Sequence, residues 1–218
     1  MKRLLFILAF ALTFVSCNRH SEHWNTLSNV ESYIVEHPDS ALIVLEQIDI
    51  SELSSKEERA KLALMLSMAL DKNYVDKTDF NVLQPAIDYY EDNGSATEKF
   101  QTYYLLGRIY QNQGNDTQAM IAYAQAKELL GGIDNHYLSG QLHTEIGNIY
   151  RSNYDYAKSL EAYKTAYDHY TAVGLESYAA YALLDIGLSY WNLEDIAKGI
   201  EYINEALQMA LKLQDEYL

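Results

Sequence analysis

The 218-residue chain holds one cysteine, two prolines and roughly half as many basic residues as acidic ones. Cys17 alone cannot close an internal disulfide, so bridges say nothing of the redox compartment, and there is no cysteine cluster to hold zinc. The six histidines, His20, His23, His37, His136, His143 and His169, include none with a second ligand four residues on, so no metal is expected. His143 falls in a packing column and reads as a core-edge residue. Sixteen Lys and Arg against 31 Asp and Glu give a formal charge of −15, which repels phosphate backbones and disfavours direct nucleic-acid binding by this segment. Phosphate loop, nucleophile elbow and kinase signature are all missing. The carboxylate pairs Glu57-Glu58 and Glu91-Asp92 sit at helix starts or exposed ends, where solvation accounts for them. No enzyme activity and no cofactor are therefore expected.

What is present is a pattern that returns every 40 residues. Gly107, Gly147 and Gly187 anchor it, preceded by Leu106, Ile146 and Ile186 and followed three residues on by Tyr110, Tyr150 and Tyr190. Further along, the small residues Ala119, Ser159 and Gly199, then Tyr123, Tyr163 and Ile203, then Ala126, Ala166 and Ala206 keep the same register. Tyr103, Leu106, Gly107 and Tyr110 share one helical face, and Ala119, Tyr123 and Ala126 share a second. Asn115, Asp155 and Asp195 lie between them and suit helix N-caps, so each unit reads helix, turn, helix. A mid-helix glycine costs about 1 kcal/mol against alanine; three at one point of an apolar face predict a close approach of backbones. One hairpin cannot bury its own apolar face, and stacking the next upon it can.

Leu106-Gly107, Tyr110, Gly114, Ala119, Tyr123 and Ala126 resemble the tetratricopeptide repeat, as do Ile146-Gly147, Tyr150, Tyr156, Tyr163 and Ala166. The third unit departs from that pattern at Gly199 and Ile203, the tryptophan column holds Tyr103, His143 and Leu183, and the closing proline is absent. The period of 40 exceeds the family's common 34, implying longer helices or a longer connection. The resemblance covers roughly residues 95 to 213 and implies an all-α, right-handed superhelix of stacked antiparallel hairpins.

At the amino terminus Lys2 and Arg3 precede a twelve-residue run from Leu4 to Val15, shorter than the about 20 residues a bilayer span needs. That is the layout of a secretory signal. With Ser16 directly before Cys17, residues 1–17 resemble a bacterial lipoprotein signal in which Cys17 is lipidated, and residues 18–23 become a polar tether. Cell-envelope placement, periplasmic side or cell surface, follows from that resemblance.

Residues 24–94 read as degenerate N-terminal helical hairpins. A helical stripe from Trp24 to His37 is stopped by Pro38, Asp39-Ser40 caps a helix from Ala41 to Ile48, and Ser54 with Glu57 forms a capping box. That box opens a helix to about Lys72. Pro85 should bend the helix between Phe80 and Asp92 or delay its start. Ser95 with Glu98 opens the repeats of 95–218. Glu216-Tyr217-Leu218 falls in the register of a repeat start, so the array is expected to be cut off there and to continue in a longer polypeptide.

Residues six and three before each glycine, and one and four after it, should face the concave side. These are Gln101, Tyr104, Arg108 and Gln111; Gln141, Thr144, Asn148 and Arg151; Tyr181, Leu184, Leu188 and Trp191. Amides and arginines suit a peptide backbone or carboxylate, or are simply solvated charges. The resemblance marks Asn148 as a position that bonds a bound peptide's backbone. Leu184, Leu188 and Trp191 suit an amphipathic helix, or pack on a following repeat. The expected function is a membrane-tethered, non-catalytic protein or peptide scaffold. The alternative is the sensor portion of a larger envelope-associated regulator, which such arrays resemble in Bacteroidetes-type bacteria.

Overall fold

The computed structural model describes residues 23–213. The signal segment with Cys17, the tether up to residue 22, and Glu216-Tyr217-Leu218 lie outside the described residues. Within them the chain is all-helical, without strands: α1 (His23–Glu31), α2 (Pro38–Leu45), α3 (Lys56–Lys72), α4 (Gln84–Asn93), α5 (Ala96–Asn112), α6 (Asp116–Leu129), α7 (His136–Ser152), α8 (Tyr156–Ala172), α9 (Glu176–Asn192) and α10 (Ile196–Leu213). Consecutive hairpins α3/α4, α5/α6, α7/α8 and α9/α10 stack into a solenoid. One apolar cluster joins α3 to α8, from Ala60 and Leu83 through Phe100 and Tyr123 to Leu142 and Ile149, with separate clusters around Leu27 and Leu45 at the N-terminal end and around Tyr170 and Ala182 toward α9.

The 40-residue period is filled by 17-residue helices such as α7 and α8, joined by three-residue turns at 153–155 and 173–175. The length beyond 34 therefore lies in the helices. Asn115, Asp155 and Asp195 each accept from the backbone N–H three residues on, at 3.2, 3.2 and 3.3 Å, so the three predicted caps form. The residue before each cap, and the equivalent Tyr74 in the weaker unit, turns into the left-handed region: Tyr74, Gly114, Tyr154 and Glu194 have φ of 58°, 72°, 62° and 66°. Only one of the four is glycine, so the other turns carry about 1 kcal/mol of strain each, which residue type alone does not reveal.

The glycine column works differently from expectation. A Cβ on Gly107 would lie 2.2 Å from Tyr123 Cε1, and one on Gly147 would lie 2.6 Å from Tyr163 Cε1. Here the space is taken by a tyrosine ring from the second helix of the hairpin, not by backbone. Gly187 alone shows the predicted backbone approach, with Gly199 O at 3.0 Å and Ile203 Cγ1 at 2.7 Å from the added atom. Gly140 repeats the device outside the column, against Tyr170 Cε1 at 2.4 Å.

The N-terminal part corrects three expectations. α1 ends at Glu31, well before His37. Pro38 does not merely stop it but occupies the first turn of α2, where its missing N–H costs nothing, and neither Asp39 nor Ser40 is the cap. The capping box is Ser55 with Glu58, one residue later than expected. Glu58 is fully buried and also accepts from the Ser54 N–H and hydroxyl at 2.7 and 2.6 Å, which decides between the two tandem registers. The delayed start at Pro85 is observed, with α4 beginning at Gln84, and the Ser95–Glu98 box forms.

Because the Tyr123 ring is fully buried against Gly107, Gly107→Ala should lower unfolding stability by about 1–3 kcal/mol despite alanine's better helix propensity. Chemical denaturation checks this; an unchanged or raised midpoint would show that the ring moves aside freely.

Candidate binding surface

The first helices of the hairpins, α3, α5, α7 and α9, stand side by side and are laced together on their shared inner face. Arg108 Nε on α5 reaches back to Asp71 Oδ1 at 2.8 Å, and its Nη1 reaches forward to Glu145 Oε2 at 3.0 Å. Glu145 also accepts from Asn148 Nδ2 at 3.1 Å, Arg151 Nη2 donates to Asn148 Oδ1 at 3.1 Å, and Arg151 Nη1 meets Asp185 Oδ1 at 2.6 Å. The result is an unbroken ladder, Asp71–Arg108–Glu145–Asn148–Arg151–Asp185, crossing four hairpins. The core rings brace it: Tyr123 donates to Gln111 Oε1 at 2.8 Å and Tyr163 to Asn148 Oδ1 at 2.9 Å.

Burial alone would depress the Arg108 pKa, but Glu145 and Asp71 outweigh it and hold the guanidinium firmly charged. Asp185 goes the other way, because its burial exceeds the pull of Arg151 and lifts the carboxyl above its ordinary range. Arg108 and Arg151, read from sequence as available for a ligand carboxylate or as solvated charges, are thus satisfied internally. The carboxylates that hold them, Asp71, Glu145 and Asp185, were missed. Their signal is opposite charge at about one repeat's separation: Arg108 lies 37 residues from both Asp71 and Glu145, and Arg151 lies 34 from Asp185.

The other expected residues fall into two groups. Gln101, Tyr104 and Gln141 come together around a hollow between α3, α5 and α7, to which Lys72 and Tyr137, not foreseen, also contribute. On α9, Tyr181 and Trp191 are 38% and 48% exposed, with Leu184 and Leu188 half-buried between them. Thr144 is tied down, its hydroxyl donating to Gly140 O at 3.0 Å and lying 3.3 Å from Tyr170 Oη.

Histidines that look scattered in the sequence meet in the α7/α8 hairpin. His136 Nδ1 and His169 Nδ1 are 2.9 Å apart, and His143 stacks on His169 with its own Nδ1 bonded to Ser139 O at 2.8 Å. Among the described residues no three side chains of His, Cys, Asp or Glu are arranged to hold a metal ion. Burial lowers the pKa of His143, against the hydrogen bond to Ser139 O, and burial together with His136 lowers that of His169, against Asp168.

Stacked hairpins with an exposed inner face define a tetratricopeptide-like helical-repeat scaffold of the protein-interaction class. Residues 40–214 match the family described as SNAP, soluble NSF attachment protein, and the chain belongs to that family. No curated protein matches it. Among solved structures, the chain is similar to BtubC (BKLC) from P. vanneervenii, at 13% identity and a TM-score of 0.63 over 88% of this chain and 76% of that one. A STAND-class signal-transduction ATPase with a tetratricopeptide repeat sensor, from Pyrococcus horikoshii, gives 15% identity and a TM-score of 0.66 over 87% of this chain; the chain spans only 29% of that protein. MamA protein gives 17% identity and 0.53 over 87% and 92%. These likenesses concern the fold.

Two outcomes are expected. Arg108→Met leaves Asp71 and Glu145, both mostly buried, facing each other without a cation, and should cost about 2–3 kcal/mol in denaturant unfolding; a loss under about 0.5 kcal/mol would make the ladder a surface ornament. His169 should make stability pH-dependent. Burial and the neighbouring His136 lower its pKa in the fold, so its contribution is full above its ordinary value of 6.5 and declines as pH falls below that. Replacing His169 with Gln should flatten that slope, and an identical slope in both proteins would assign it elsewhere.

Proposed function

We propose that this chain is a non-catalytic scaffold that binds a protein or peptide along its inner face and is held at the bacterial cell envelope by a lipid on Cys17. The observation that carries the binding part is the contrast along that face. Over α3, α5 and α7 the polar groups of the ladder satisfy one another, whereas α9 ends it with an exposed tryptophan and tyrosine flanking two leucines. A solvated Trp191 beside Leu188 is the type of anchor that takes the apolar side of a partner helix. The internally paired ladder then serves as a rigid, shaped floor rather than as a set of free charges. The tether is supported by the layout of residues 1–17 alone; no helix among the described residues is long and apolar enough to cross a membrane.

A second reading, the sensor portion of a larger signalling regulator, is favoured by the likeness to an ATPase that carries a tetratricopeptide repeat sensor. Sequencing the gene beyond the Leu218 codon separates the two, since an encoded output domain supports the regulator and a stop codon removes it.

Affinity capture from envelope extract, followed by mass spectrometry and titration of the captured protein, tests the scaffold. The double variant Leu188→Ser, Trp191→Ser should weaken partner binding at least about tenfold while moving the melting temperature little, because Trp191 is half-exposed. Equal affinity for wild type and variant would remove α9 from the binding surface, and growth in the presence of palmitate that labels Cys17→Ser as well as wild type would remove the lipid.

A further inference from the structure

The hollow between α3, α5 and α7 has the makings of a small-molecule site. Its volume is about 120 Å³, close to the roughly 150 Å³ of an apolar cavity that takes benzene, so it has room for about one small ring. The walls are apolar, formed by Met68, Phe100, Leu105 and Leu138. Phe100 and Tyr104 stack at 6.3 Å with an interplanar angle of 11°, so one wall is a rigid aromatic surface. Into this lining converge a few polar groups, the composition typical of ligand pockets.

Two of those groups stand out. Tyr104 is 8% exposed and its hydroxyl has no hydrogen-bond partner among the described residues, in contrast to Tyr123 and Tyr163, whose hydroxyls both donate on the same face. Ser67 Oγ is the one buried side-chain polar atom without a partner among the described residues, so the Tyr104 oxygen still reaches solvent and its hydroxyl is open to a ligand acceptor. Lys72 lines the same hollow, its ammonium donating to Tyr137 Oη and lying 5.1 Å from the centre of that ring. A lysine has three donors, and the phenol takes one of them. Desolvation lowers the Lys72 pKa, with Asp71 opposing; but the Asp71 carboxylate is itself held by Arg108 at 2.8 Å.

We propose that this hollow binds a small amphipathic carboxylate, a free organic acid carrying one small ring, with the apolar body against Phe100 and Leu138 and the carboxylate between the Lys72 ammonium and the Tyr104 hydroxyl. The acid brings an acceptor for the Tyr104 hydroxyl and for the Lys72 donors that Tyr137 leaves unused. This site does not depend on the partner-binding reading, since it uses the floor between α3, α5 and α7 and not the exposed residues of α9.

The test is titration of the full chain with 3-phenylpropionate, followed through the backbone amide resonances of Phe100 and Leu138 by ¹H–¹⁵N NMR. Saturable shifts with a Kd below about 5 mM, absent for the neutral 3-phenylpropanamide, are expected. Lys72→Met should weaken binding about tenfold or more and Tyr104→Phe about threefold. Tyr104→Phe is the safeguard on folding, because it deletes an unpartnered atom and should leave the melting temperature unchanged. No saturable shift, equal binding of acid and amide, wild-type affinity in both variants, or binding only of a peptide ending in phenylalanine would each overturn the site.

Discussion

A tyrosine ring lying in the space a glycine leaves open is the contact on which this molecule depends. In the α5/α6 hairpin Tyr123 fills the position above Gly107, and in α7/α8 Tyr163 does the same above Gly147. Each ring is fully buried, yet each is long enough to pass across the first helix and put its hydroxyl out on the other side. There the hydroxyl meets Gln111 or Asn148. One residue therefore locks the hairpin and positions the polar surface, so core packing and inner-face geometry cannot be varied independently.

The third hairpin shows what happens when the device is absent. Its equivalent residue is Ile203, which fills space beside Gly187 but has no hydroxyl to send through, and the backbones close in until Gly199 O lies 3.0 Å from where a Cβ would stand. With nothing polar emerging, the inner-face positions corresponding to Asn148 and Arg151 hold Leu188 and Trp191, and the ladder stops at Asp185. The weaker hairpin at the other end has Ser67 in the glycine register and fully buried Leu83 in the ring position. Ser67 Oγ is the single buried side-chain polar atom without a partner among the described residues. The face is apolar on α9, in the hairpin where Ile203 stands in the ring position.

Much of this was legible in the sequence, and the parts that were not share a cause. Helix faces, Asn115, Asp155 and Asp195 as caps, and the role of Gly107 as a position that tolerates no side chain all follow from spacing within one repeat. The ladder does not, because each rung joins two repeats, and Arg108 looks solvated until Asp71 and Glu145 are placed beside it by stacking. Pairing charges across one repeat length would have found it. The Ser54/Ser55 ambiguity had another origin, since both registers satisfy the capping pattern and only the burial of Glu58 chooses between them. Tyr154 and Glu194 in left-handed turns were invisible because the residue types argue against that conformation; the repeat geometry imposes it, with Gly114 the one position where sequence and backbone agree.

The ladder also constrains what the inner face can recognise. Two arginines whose charges are matched by Asp71, Glu145 and Asp185 offer a ligand carboxylate little unless an internal pair is broken, and breaking a mostly buried pair costs more than a new surface contact returns. Recognition is thereby pushed to the places where donors or apolar surface remain unmatched. The described face has two: the hollow beside Lys72 and Tyr104, and the apolar rim formed by Leu188 and Trp191. They lie at opposite ends of the same ladder, with Arg108, Asn148 and Arg151 paired between them.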